Sequence, residues 1–182
     1  MVIRNELILD AAAEVLARRP DATLQSIAAA AGVSRTTLFN KFATRESLLQ
    51  ALAVDTLERI GAVMAKVPAT VDADPTLALT DITRSLMLLG PRTAFLYVAP
   101  VEGTSLDPHW VDAVTPLPVY FGQLQAHGHV RTDHPVRWLT ASYVGLLFAA
   151  WDEVAEGKQE ISRAAQLVVQ TWLSGAVAVA RT

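Results

Sequence analysis

The chain has 182 residues, 52% of them hydrophobic and 18% charged, with a formal net charge of −3 and no cysteine. That is enough chain to bury a core without covalent staples. The missing cysteines exclude disulfides and thiolate chemistry and make a reducing cytosol the expected compartment.

So small a charged fraction points to apolar surface covered by a partner chain. The longest stretch free of Asp, Glu, Lys, Arg and His, Ala164–Ala180, is 17 residues long and contains Gln166, Gln170, Thr171 and Ser174. It falls short of the roughly 20 apolar residues that a membrane span needs, so a buried or interface helix is expected and no membrane contact. The opening run carries Arg4 and Glu6 where a secretory signal would be apolar, and a cytoplasmic protein is expected. Charge is unevenly spread. Residues 1–45 hold six cations and four acids, Arg35 to Arg45 hold three cations and no acid, and residues 61–182 hold eight cations and eleven acids. A basic tip on an acidic body is the footprint of a protein that touches DNA with one end.

Nearly every segment has helical periodicity, and the expected fold is all-α. A first helix is predicted over Arg4–Arg18, with Leu7, Ile8, Ala11, Ala12, Val15 and Leu16 inward, ended by Pro20 and Asp21. Thr23 is a good N-cap for a second helix with Leu24, Ile27, Ala28 and Ala31 inward. Gly32 supplies a tight turn, Ser34 caps a short third helix to Lys41, and Thr44 caps a long fourth helix that Pro68 closes. After an Ala/Thr/Asp-rich linker, helices are predicted at Thr76–Leu89 and Thr93–Val98 and a loop over Pro100–Asp107. Pro116 and Pro118 should kink or split a helix over Pro108–Ala126. Two apolar helices, Pro135–Glu156 and Lys158–Ala180, finish the chain.

Two short helices joined by Ala31-Gly32-Val33-Ser34 make a helix-turn-helix, whose second helix enters the major groove. At about 100° per residue, Leu38, Phe39 and Phe42 fall within roughly 60° of Arg35 and form an inner face. Thr36, Thr37, Asn40 and Lys41 form an outer face of short polar groups and a cation. Asn can bond adenine through two groups, Thr methyls can pack on thymine, and Lys41 suits phosphate. Arg35 falls on the inner side by angle, but its stem is long enough to swing outward. Arg45, in the first turn of the fourth helix, is placed to add a charge near a phosphate.

The runs Ile8-Leu9-Asp10-Ala11-Ala12, Thr23 through Phe42, and Thr44-Arg45-Glu46-Ser47-Leu48-Leu49 resemble the N-terminal domain of TetR-family regulators over residues 5–55. The resemblance implies a homodimer that usually represses transcription and leaves its operator when a small molecule binds the C-terminal domain. It implies DNA contacts at Ser34, Arg35, Thr36, Thr37, Asn40, Lys41 and Arg45. The family most often has Tyr where Phe39 stands, a hydroxyl that commonly touches phosphate, so Phe39 is expected to pack instead. A Lys is commonest where Arg45 stands; Arg keeps the charge and can bind bidentately.

The expected organisation is a DNA-binding domain over residues 1–45 and an effector-binding and dimerisation domain over 46–182. A self-complementary patch is expected on the last two helices, through Leu139, Leu146, Leu147, Ala150, Trp151, Val168, Trp172 and Ala176. A mostly apolar effector pocket is expected among Phe95, Tyr97, Trp110, Tyr120, Phe121, Tyr143 and Phe148, with Arg92, Glu102 and His109 as polar anchors. His127, His129 and His134 match no common metal spacing and read as a loop, so neither metal nor cofactor is expected. Glu102, Asp107, His109 and Asp112 have nothing to orient them as acid–base groups, and no catalytic motif occurs, so no enzyme is expected. The alternative function keeps the DNA binding but makes the C-terminal body a dimerisation or protein-docking module without an effector.

Overall fold

The computed structural model describes residues 5–71, 74–98 and 113–176, and its described elements are helices. They are α1 Asn5–Arg18, α2 Leu24–Ala30, α3 Arg35–Lys41, α4 Arg45–Met64, α5 Thr76–Leu88, α6 Pro91–Val98, α7 Pro116–Ala126, α8 Val136–Ala155 and α9 Ile161–Ala176. None of the described helices is long and apolar enough to cross a membrane. Two compact units emerge. Residues 5–59 and 91–98 belong to one; residues 60–71, 74–90 and 113–176 belong to the other.

The first unit is assembled by local signals at each turn. α1 buries Ile8, Leu9, Ala12, Ala13 and Leu16. The inner face is therefore turned from the predicted one toward Leu9 and Ala13, and Leu7 is exposed, because α1 packs on both α2 and α6. Thr23 caps α2, its Oγ1 accepting from the Ser26 amide at 3.2 Å. Gly32 follows with φ +65°, a left-handed turn that suits glycine. Its amide and that of Val33 satisfy the end of α2 by donating to the Ala29 and Ala28 carbonyls. Thr44 and Ser47 cap α4 reciprocally: each hydroxyl accepts from the other's amide, at 3.1 and 3.2 Å. α4 ends at Met64, short of Pro68, because Lys66 and Val67 turn back to the Val63 and Met64 carbonyls.

The core of this unit gathers Ile8, Leu16, Ile27, Leu38, Leu48 and Leu52 with Phe95 from α6. Beside it lies a charged clasp. Arg92, 5% exposed, donates from Nη2 and Nε to Asp10 Oδ1 at 2.6 and 3.1 Å and pairs through Nη1 with Asp55. Asp55 also accepts from Arg59 Nε at 2.9 Å. α1, α4 and α6 are thus tied by one guanidinium whose planar fork fits two carboxylates.

In the second unit α9 packs on α8 and α5, and α7 packs on α8. Pro116 and Pro118 split the predicted helix: Ala113 and Val114 are helical, Thr115 is a turn, and α7 starts afresh with both prolines in its first turn, where a missing N–H leaves no bond broken. The predicted loop at 100–107 and the predicted helical residues 108–112 lie outside the described residues. The core is built on rings. Phe121 stacks on Trp172 with centroids 4.5 Å apart, and Tyr143 meets both edge-on at 5.4 and 5.9 Å. Trp172 Nε1 donates to the Leu139 carbonyl at 2.9 Å. Thr83 gives its one hydroxyl proton to the Leu79 carbonyl at 2.6 Å, which leaves Tyr143 as donor in the 2.6 Å bond to Thr83 Oγ1. Burial pushes the Tyr143 phenol up to about 12.

Candidate nucleic-acid interface

α3 is a helix of only seven residues, and its stiffness is borrowed from its ends. Ser34 Oγ accepts from the Thr37 amide at 3.0 Å, while Leu38 and Phe42 anchor it to the core. The side of the helix facing away from them carries Thr36, Asn40 and Lys41, all exposed. Arg35 is exposed as well, so its position near the inner side by angle does not bury it. Thr37 is half-buried, and its hydroxyl lies 2.8 Å from Ser34 Oγ. Ser34 and Thr37 are therefore occupied in holding the start of the helix. Such an array can offer an amide edge, a methyl and two cations to the edge of a base pair and its phosphates.

Two residues depart from their expected places. Phe39 is 55% exposed, so it belongs to the outer surface of α3 and not to the packing face. Its angle puts it to one side of the direction set by Leu38 and Phe42. Arg45 bends back: its Nη2 donates to the Pro20 carbonyl and its Nη1 is shut from solvent with no protein partner. Much of this guanidinium serves to fasten the start of α4 to the α1–α2 turn. Between them runs an open groove of about 440 Å³, lined by Thr23, Gln25, Arg35, Phe39 and Arg45 among others.

The residues singled out as a pocket separate. Arg92 and Phe95 lie in the first unit, one in the clasp and one in the core, because α6 packs on α1. Tyr120, Phe121 and Tyr143 are buried in the second unit, and Phe148 is half-buried. Tyr97 continues the backbone of α6; its side chain, like Glu102, His109 and Trp110, lies outside the described residues. The residues expected at a dimer interface also divide. Leu139, Leu147 and Trp172 point into the unit's own core. Leu146, Ala150 and Val168 line a shallow groove of about 240 Å³ on α8 and α9, Val168 lying at its floor. Trp151 sets its indole nitrogen 3.3 Å from the place where a Cβ on Gly90 would stand. Ala176 closes α9, its side chain outside the described residues. The Arg92 clasp was not foreseen. Its carboxylates lie 82 and 37 residues away in sequence, and no local pattern signals such pairs.

A short capped helix that presents polar groups outward, set after a glycine turn in an all-helical chain, defines a helix-turn-helix regulator. The model of the bacterial regulatory proteins of the tetR family matches residues 8–52. The chain is 30% identical to the HTH-type transcriptional repressor LfrR of Mycolicibacterium smegmatis, over 96% of this chain and 91% of that protein. It is 28% identical to the HTH-type transcriptional regulator NfxB of Pseudomonas aeruginosa, over 100% and 99%. The crystal structure of the TetR-like regulator LfrR from Mycobacterium smegmatis in complex with proflavine is similar at a TM-score of 0.76 and 26% identity, covering 96% of this chain and 97% of that one. The protein belongs to the TetR family and is a DNA-binding transcriptional regulator.

Proposed function

We propose that the protein is a cytoplasmic homodimeric repressor in which each α3 reads half of a near-palindromic operator. The exposed Thr36, Asn40 and Lys41 on a helix fixed at both ends carry this reading. Asn40 reads a base, Lys41 and Arg35 hold phosphates, and Ser34 and Thr37 keep the helix start in shape. Arg45 adds a charge beside the same strand. The two reading helices sit roughly 34–36 Å apart, one turn of DNA. Dimerisation uses α8 and α9, with Leu146, Ala150 and Val168 in the groove that a second copy fills. A small, largely apolar ligand bound in the second unit favours the released state and so frees the operator. Support for a ligand comes from the similar LfrR, whose structure is in complex with proflavine.

The test is a duplex selected from a random pool by the full-length protein. Asn40→Ala with Lys41→Ala should weaken binding to it by about 100-fold, since a bidentate base contact is worth about 1–3 kcal/mol and a phosphate contact adds to it. Lys41→Ala alone should lower the salt slope by about one. Unchanged affinity in the double variant would overturn the reading face. A second reading has its own support: Tyr120, Phe121 and Tyr143 are closed in packing, which suits a body that only dimerises or docks a protein. Proflavine and a panel of apolar aromatics that neither raise the melting temperature nor release the duplex would favour it.

A further inference from the structure

The helix-turn-helix sends its large apolar side chains inward, with a single exception. Ile27, Leu38 and Phe42 are buried, and Leu24 and Val33 are partly so, but Phe39 leaves 55% of its surface in water. It stands one turn on from Arg35 and Thr36 and directly before Asn40. The residue lines the open groove together with Arg35 and Arg45. Phenylalanine has no donor or acceptor, so the ring adds nothing at a phosphate. Within the major groove the chemistry that fits it is the 5-methyl group of thymine, the apolar mark on a base edge. An aromatic ring also suits the task because it has only two χ angles to fix.

We propose that Phe39 is a specificity-determining residue that packs on a thymine methyl next to the base read by Asn40. This rests on α3 being the reading helix, and the experiment separates the two claims. A duplex is selected from a random pool with the full-length protein. Each of its thymines is then replaced singly by deoxyuridine, which keeps the pairing and removes only the methyl. Wild-type protein should lose about three- to tenfold in affinity at one such position in each half-site, the scale of one buried methyl. Phe39→Ala should lose the same factor on the unmodified duplex and show no further loss at that position. Its salt slope should stay unchanged, because no counterion is released through a phenyl ring.

Because the ring is exposed, Phe39→Ala should melt like the wild type. Normal affinity in Phe39→Ala, a changed salt slope, or a loss that is equal on every deoxyuridine duplex would overturn the proposal. If these results came with the expected loss in the Asn40, Lys41 double variant, α3 would remain the reading helix and only the thymine contact would fall. Failure to select any duplex would overturn both.

Discussion

The two units differ in what they bury beside their aliphatic cores, a guanidinium in the first and a stack of rings in the second, while each exposes a large ring, Phe39 in the first and Trp138 in the second. The first keeps a guanidinium inside, Arg92 between Asp10 and Asp55, and puts a phenyl ring outside at Phe39. The second keeps three rings inside, Phe121, Tyr143 and Trp172, and carries ion pairs such as Arg131–Asp133 and Lys158–Glu153 outside. The difference follows from what each must leave exposed. A unit that presents a polar helix to a partner has less apolar surface to bury, and a directed ion pair helps to fix α6 onto α1 and α4. A unit that presents no such helix can gather Phe121, Tyr143 and Trp172 into one packed cluster. The first should therefore answer to the loss of one charge, and the second to the charging of one phenol.

The sharpest way to break that contrast is Arg92→Ala. It leaves the mostly buried Asp55 with Arg59 alone and should destabilise the first unit by about 2–3 kcal/mol, less than loss of a wholly buried pair because Asp10 is largely exposed and Arg59 still pairs with Asp55. Hydrogen exchange should speed up in α1 and α6 while α9 amides keep their protection; uniform loss would mean that the units open together. Alkaline titration probes the other side at a similar scale. Tyr143 has its folded value raised to about 12, so its contribution is complete below about pH 10 and is lost as pH rises toward 12. Denaturant melts should show about 2–3 kcal/mol of that loss in wild-type protein and little of it in Tyr143→Phe, which retains the Thr83–Leu79 bond. An equal alkaline loss in both proteins would put the sensitivity elsewhere. The smallest effect belongs to Ser34→Ala. Losing this cap should cost about 1 kcal/mol by thermal melting and weaken DNA binding more than it weakens the fold.

The starts of α2, α3 and α4 were legible because their signals are local. Thr23, Ser34 and Thr44 each bond an amide three residues on, and Gly32 takes the left-handed conformation that its neighbours would resist. The exposure of Thr36, Asn40 and Lys41 follows from helical angle alone. Phe39 was not legible that way, since it stands on a flank whose burial depends on how far neighbouring helices reach. Pro116 reads as a helix breaker from its missing donor alone, and the helix is split just before it. The membership of Arg92 and Phe95 in the first unit depends on α6 returning to α1, a long-range contact invisible to any window of sequence.

That return of α6 has a consequence for anyone who would cut the protein apart. The first unit is discontinuous, and during synthesis the whole of α5 leaves the ribosome before Phe95 and Arg92 do. A fragment ending after α4 would hold every exposed group of α3 yet lack the ring that fills its core and the guanidinium that ties α1 to α4. A portable reading head must therefore run through Val98, or be supplied with α6 by permuting the chain.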